Sequence, residues 1–241
     1  MMFLVVIAIG FSKPCRAQQF NSDNYLTMPH GTGTFVLTEG QRNASIANSF
    51  ALIPNWEFFI QGWLFWENKE LKLPQHFTTS VYVKYMYYEN EAKTGGGAVF
   101  LGYGKAPGYY DQEKFVDRHT NMWTAVPVTL SFFDNMLSWD IMPGAMIDFN
   151  YGDDKKAVWG FTYSTRLGVY NIIPESAIVG EIFGTAGDLY SKPEYKVGIR
   201  WEPNNTVIPA FTYGAAFDGS KSSRFEIGVI IFTPPFLKIG N

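Results

Sequence analysis

The stretch that decides the fold is Pro193-Glu194-Tyr195-Lys196-Val197-Gly198-Ile199-Arg200-Trp201. Tyr195, Val197, Ile199 and Trp201 take alternate positions, and Glu194, Lys196, Gly198 and Arg200 fall between them. Side chains of a β-strand alternate faces, so a strand here has one apolar face and one largely charged face. Amphipathic helices instead repeat their apolar residues every three or four positions, a spacing absent from this segment.

Working outward, the same split recurs. From Ala157 to Val169, Trp159, Phe161, Tyr163, Leu167 and Val169 oppose Gly160, Thr162, Ser164, Arg166 and Gly168. From Trp56 to Trp66, Trp56, Phe58, Ile60, Leu64 and Trp66 oppose Glu57, Gln61 and Trp63, and from Leu137 onward Trp139, Ile141, Ala145 and Ile147 face away from Ser138, Asp140, Gly144 and Asp148. About twelve such segments begin near Gly33, Asn43, Trp56, Phe77, Gly96, Trp123, Leu137, Ala157, Ala177, Pro193, Val207 and Arg224, separated by clusters of Gly, Asn, Asp, Pro and Lys. Their connections form two series. One is mostly tight: Pro54-Asn55, Glu89 to Thr94, Asp134-Asn135, Asn171 to Glu175 and Pro203 to Asn205. The other is mostly longer: Asn68 to His76, Lys105 to Asn121, Asp153 to Lys156, Gly187 to Lys192 and Asp218 to Ser222. Short turns on one rim and long loops on the other are the habit of bacterial outer-membrane barrels, as is an even strand count. Thr38 to Gln41 is short where a long loop belongs, which makes the first hairpin the exception.

Composition agrees. Aromatic residues make up 17% of the 241 residues, and charged residues also only 17%, below the roughly 25% of soluble domains. Beyond the N-terminus there is no apolar run of about twenty residues, as a spanning helix requires. The formal net charge is -3, and without a basic stripe to neutralise phosphates nucleic acid is excluded as a partner. The first residues, Phe3 to Phe11 (FLVVIAIGF), form an apolar run followed by Cys15-Arg16-Ala17 and Gln18, which reads as a secretory leader cleaved after Ala17. Cys15 is the one cysteine, so the exported chain is expected to carry neither a disulfide nor a cysteine-bound metal.

Alternation alone leaves open which face is inside, since a soluble barrel points its apolar set inward. Two features favour lipid outside. The polar face is rich in Gly, Ser and Thr with scattered charges of both signs, and aromatics sit near strand ends at Trp56, Trp66, Tyr85, Tyr87, Trp139, Trp201 and Phe217, where interfacial girdles belong. The expected fold is all-β: a single antiparallel up-and-down transmembrane β-barrel of about 12 strands in the bacterial outer membrane. The expected organisation is a leader over 1–17, an N-terminal periplasmic segment over 18–32, the barrel over 33–233 and a tail over 234–241.

Three stretches resemble a known family. They are Phe50 to Trp66 with its Pro54-Asn55 turn, Thr79-Ser80-Val81-Tyr82-Val83-Lys84-Tyr85 with an inward Lys, and the closing region Tyr195 to Phe232 through Pro203-Asn204-Asn205. The family is that of transporter-like outer-membrane barrels named after the phenol-degradation pathway. The resemblance covers the mature chain as a pattern and implies a barrel that moves small, hydrophobic solutes. It identifies no functional residue.

On the inward face of such a barrel the sequence places Glu57, Lys84, Asp140, Arg166, Glu181, Lys196, Arg200 and Glu226 as lumen-lining candidates, together with Glu67, Glu194 and Arg224. An inward charge must be hydrated or paired, so these groups either form a network or line a solute path. Phe59, Trp63, Phe65 and Tyr82 share the lumen and narrow it. About eight strands are filled by side chains and about sixteen leave a channel, so twelve fall between. The longest loop, Lys105 to Asn121, offers Tyr109, Tyr110, Asp117, Arg118 and His119 as gate or ligand contacts.

Catalytic and metal signals are missing. Neither His119-Thr120-Asn121 nor His76-Phe77-Thr78 supplies the His-x-Ser spacing of barrel lipid hydrolases, and His30 lies near the mature N-terminus, so the chain is expected not to be an enzyme. Asp148, Asn150, Gly152, Asp153 and Asp154 cluster at one turn with no Glu placed to close a calcium shell. No cofactor and no metal is expected. The expected partners are outer-membrane lipid and a small-molecule solute, and the expected function is a narrow pore or transporter. The alternatives are a non-conducting structural barrel and a soluble periplasmic barrel that binds an apolar ligand.

Overall fold

A computed structural model describes residue 20 and residues 22–41, 43–66, 75–104, 121–151, 156–204, 206–219 and 224–237. The leader over 1–17, the acidic Glu67 and the loop candidates Tyr109, Tyr110, Asp117, Arg118 and His119 lie outside the described residues. The strands are β1 (Gly33–Gly40), β2 (Asn43–Ile53), β3 (Trp56–Phe65), β4 (His76–Glu89), β5 (Gly96–Gly104), β6 (Asn121–Ala125), β7 (Val128–Phe132), β8 (Leu137–Tyr151), β9 (Lys156–Tyr170), β10 (Ser176–Gly187), β11 (Ser191–Trp201), β12 (Val207–Ala216) and β13 (Arg224–Phe232). Each pairs antiparallel with its neighbours in the wall, and β13 returns to pair with β1 from Thr34 opposite Phe232 to Gly40 opposite Glu226. The sheet is therefore closed and exposes no strand edge.

Thirteen strands fill twelve positions in the wall, because β6 and β7 are two halves of one stave. Both pair with β5 and with β8. The interruption falls at Val126-Pro127, where proline offers no N–H to the ladder. Single hydrogen bonds keep the wall shut there, from Ala98 N to Pro127 O (3.0 Å) and from Val126 N to Pro143 O (2.9 Å).

The first hairpin forms with its strands longer than the turn signal suggests. β1 runs on to Gly40, Glu39 lies opposite Ala44, and the connection shrinks to residues 41 and 42. The tight series of turns uses left-handed backbone at Asn55 (φ 65), Asn135 (φ 69) and Asn171 (φ 61), where asparagine is tolerated better than other side chains.

Which face is inside is settled by exposure. Trp159 is 58% and Phe161 46% exposed, while Asp140 and Arg200 are each 1% exposed. The apolar set points out and the polar set points in, which excludes the soluble barrel with an apolar interior. Trp56, Tyr87, Trp139, Trp201 and Phe217 are all exposed on the outer surface.

The residues just before β1 and just after β13 meet at the short-turn rim. Thr233 N donates to Gly33 O (2.9 Å) and Phe236 N to Gly31 O (2.8 Å), and the Phe236 ring meets Phe50 edge-on at 6.4 Å. Thr233 and, from the tail, Phe236 therefore hold to the residues that enter β1.

Candidate functional site: the charged lumen and the segment that crosses it

Strand register builds the inner wall. Asp140 on β8 lies opposite Arg166 on β9, Arg166 opposite Glu181 on β10, and Glu181 opposite Lys196 on β11. Cross-strand neighbours on one face are close enough to interact, so alternating signs at one level make a belt rather than four isolated charges. Lys196 lies opposite Gly214 on β12, which has no side chain to obstruct it, and reaches Glu226 on β13 at 2.7 Å. Thr212 Oγ1 also donates to Glu226, at 3.4 Å. On the other side of the barrel Glu57 on β3 lies opposite Lys84 on β4.

All eight lumen-lining candidates are buried. Arg166 donates from Nε to Asp140 Oδ2 at 2.9 Å and lies 2.7 Å from the same oxygen through Nη2, while Thr129 Oγ1 donates to Asp140 Oδ1 at 2.6 Å. Lys84 stands 3.0 Å from Asp23 and 3.5 Å from Glu57, and Arg200 stands 3.3 Å from Glu202. The additional candidates fare differently: Glu194 is half-buried, and Arg224 is exposed at the start of β13 with φ 58.

Asp23 introduces the feature that sequence reasoning missed. The N-terminal segment, expected ahead of the barrel, runs inside it. Ser22, Asp23, Asn24, Tyr25, Thr27 and Met28 are all buried. A closed sheet has no edge to pair with, so the backbone of a segment inside it must bond to wall side chains. Ser22 N donates to Glu181 Oε1, and Ser22 O accepts from Arg166 Nη1 at 2.9 Å. Tyr25 N donates to Thr129 Oγ1 at 3.2 Å and Met28 N to Glu57 Oε2 at 3.3 Å. The segment thus touches β10 and β9 at one end, β7 and β4 in its middle and β3 at the other, a path across the lumen.

Packing fixes the two ends. Phe20 sits against Tyr170, Ala177 and Val179, and Met28 against Val36, Ala51, Ile208, Ile230 and Phe232. Gly96 makes room in between, since a Cβ there would collide with the Tyr25 ring.

Beside the segment lies an aromatic cluster of Phe59, Tyr82, Phe100 and Trp123. Phe59 and Tyr82 stack at 4.3 Å with 9° between planes, and Trp123 is 5.0 Å from Tyr82. The Lys84 ammonium is 5.7 Å from the Phe59 ring centroid and 5.3 Å from that of Phe100, a cation–π placement. Phe65 is buried on the same face and Trp63 half-buried, so the lumen is narrowed on the β3–β6 side. Buried hydroxyls without a hydrogen-bond partner occur elsewhere on the inner wall, at Thr78, Ser80, Ser164, Thr185 and Ser191. Among the described residues no cluster of His, Cys, Asp and Glu is arranged to hold a metal ion.

No family model matches the sequence, and no curated protein does. Solved structures do match the fold. The KdgM porin in complex with disordered oligogalacturonate is similar at 14% identity and TM-score 0.55, over 83% of this chain and 98% of that one. The COG4313 outer membrane channel from Pseudomonas putida F1 is similar at 11% identity and TM-score 0.53, over 89% and 99%. The NanC porin matches at 8% identity and TM-score 0.53, over 83% and 97%. With its apolar outer face and charged inner face, this chain shares the closed β-barrel fold of these outer-membrane proteins.

One expectation is corrected. The sequence reading excludes an enzyme for want of a His-x-Ser pair. The similar structures nevertheless include the outer membrane phospholipase A from Escherichia coli, at 11% identity and TM-score 0.45 over 87% of this chain and 94% of that one. A fold by itself decides neither for nor against catalysis, so the expectation that this chain is not an enzyme is withdrawn.

Proposed function

We propose that the barrel is a narrow pore for small solutes, and that the path through it is closed when the segment from Ser22 to Met28 lies across the lumen. The observation that carries this reading is how the segment is held. Its contacts with the wall run through side chains such as Lys84, Arg166, Glu181 and Glu57, with no strand ladder. The sheet closes by pairing β1 with β13, so the segment can leave without breaking the wall. The outer-membrane channels and porins that share the fold support the same role.

The solutes we assign are small and hydrophobic. Phe59, Tyr82, Phe100 and Trp123 give the path an apolar flank, and the pattern similarity to the transporter-like family named after the phenol-degradation pathway points the same way. Lipid covers the outer band that Trp159, Phe161, Val197 and Ile199 form.

Liposome swelling tests the proposal. Vesicles carrying the barrel are expected to take up small neutral solutes faster than protein-free vesicles, with the rate falling steeply as solute size grows. Rates equal to those of empty vesicles for every solute favour the non-conducting, structural barrel.

A further inference from the structure

We infer that the place held by Asp23 and Tyr25 is a binding site for a small aromatic carboxylate, anchored on Lys84, and that such a solute opens the barrel by displacing the segment, an inference that rests on the release of the segment proposed above. Asp23 is 3% exposed, and a carboxylate taken so far out of water needs a cation and hydrogen bonds to offset its lost hydration. Lys84 Nζ donates to it at 3.0 Å. Glu57, 3.5 Å from the same ammonium, belongs to β3 and stays when the segment leaves. Arg166 Nη1 donates to the neighbouring Ser22 O at 2.9 Å. The wall is therefore built to take one carboxylate that the wall itself does not carry. A dissolved carboxylate meets the same ammonium in the same place.

The same anchor borders aromatic surface. Lys84 Nζ lies 5.7 Å from the Phe59 ring centroid and 5.3 Å from that of Phe100. Tyr25 is buried as well, and a Cβ at Gly96 would stand 2.4 Å from its ring. Glycine at position 96 thus leaves a notch that a flat ring fills. Two residues of chain span at most about 7 Å, so the backbones of Asp23 and Tyr25 lie within the length of a single-ring acid with a short side chain. The segment presents to the wall what such an acid carries, a carboxylate and a ring, and the two occupants exclude each other.

Calorimetric titration of the detergent-solubilised full chain tests this with three probes: phenylpropanoate, its uncharged amide, and propanoate, which lacks the ring. The acid is expected to bind at least about tenfold more tightly than either control, since each control gives up one of the two contacts. It is expected to bind Asp23→Ala about ten- to a hundredfold more tightly than the parent chain, because apparent affinity scales with the fraction of barrels already open. Lys84→Met with Glu57→Gln, made in the Asp23→Ala background so that no charge is stranded, is expected to bring the acid down to the affinity of the amide. Heat-modifiable gel mobility checks that this variant folds, and if it does not, the three probes on the parent chain decide alone. Acid and amide of equal affinity, an acid no tighter on Asp23→Ala, or a parent chain that binds none of the three each overturns the inference. Conductance of the same samples separates it from the pore. A conducting barrel that fails these titrations leaves the pore standing, whereas binding as expected with no current from the parent or from Asp23→Ala overturns the pore and leaves the site.

Discussion

Replacing Asp23 by Ala is expected to raise the current through the barrel without unfolding it. Asp23 is buried, and its carboxylate receives the Lys84 ammonium at 3.0 Å, an ion pair that ties the segment to the wall. A hydrogen bond to a charged group contributes about 1.5–3 kcal/mol. Each 1.4 kcal/mol is a factor of about ten in an equilibrium. The balance between the crossed and the released segment should therefore move about ten- to a hundredfold toward release. Lys84 keeps Glu57 at 3.5 Å after the change, so no cation is stranded in the wall. Single-channel recording reads the effect as longer open times at unchanged unit conductance. Open times equal to those of the parent chain contradict the latch.

The second large effect falls on stability. Arg166→Met removes the cation that lies between Asp140 and Glu181 in the belt and that also holds Ser22 O. Breaking a buried pair by removing one partner costs about 3–5 kcal/mol, because the other charge is left without compensation. Here the stranded group is Asp140, 1% exposed, which keeps the neutral Thr129 hydroxyl as a donor but loses its cation. Denaturant titration of the folded barrel, followed by heat-modifiable mobility, should show a loss of that size. Asp140→Leu added to Arg166→Met should recover part of it, since replacing a whole buried pair by apolar groups is often neutral. A single variant within about 0.5 kcal/mol of the parent, the range of ordinary surface changes, would show that the belt holds nothing together.

Much of the wall was legible in the sequence, because a barrel strand writes its two faces at alternate positions. Apart from the extra β7, every strand begins within two residues of where the alternation places it, and all eight charged candidates are buried. Alternation also explains the one extra strand, since Pro127 interrupts the ladder while the inward and outward sets continue on both sides. Partnerships were not legible. That Lys196 pairs with Glu226 depends on register and on the gap at Gly214, and neither can be read from one strand alone.

The segment across the lumen was hidden for a different reason. Ser22 to Met28 has no period, because it pairs with no strand. Its contacts reach 61 residues along the chain, from Asp23 to Lys84, and 159, from Ser22 to Glu181. The lumen candidates were also balanced in sign, with Glu57, Asp140, Glu181 and Glu226 against Lys84, Arg166, Lys196 and Arg200. No missing charge pointed to Asp23.

The claim that solutes pass through this lumen is tested most directly by blocking it from within. In a Cys15→Ser background, Ser164→Cys places a thiol on the inner wall, where the native Ser164 hydroxyl is buried without a partner. Phe211→Cys places one on the outer face, where Phe211 is half exposed. Conductance is measured before and after reaction with a bulky charged thiol reagent, and mass spectrometry confirms labelling at each site. The account predicts that labelling at position 164 sharply cuts the current and that labelling at position 211 leaves it unchanged. An undiminished current through a barrel fully labelled at position 164 would contradict it.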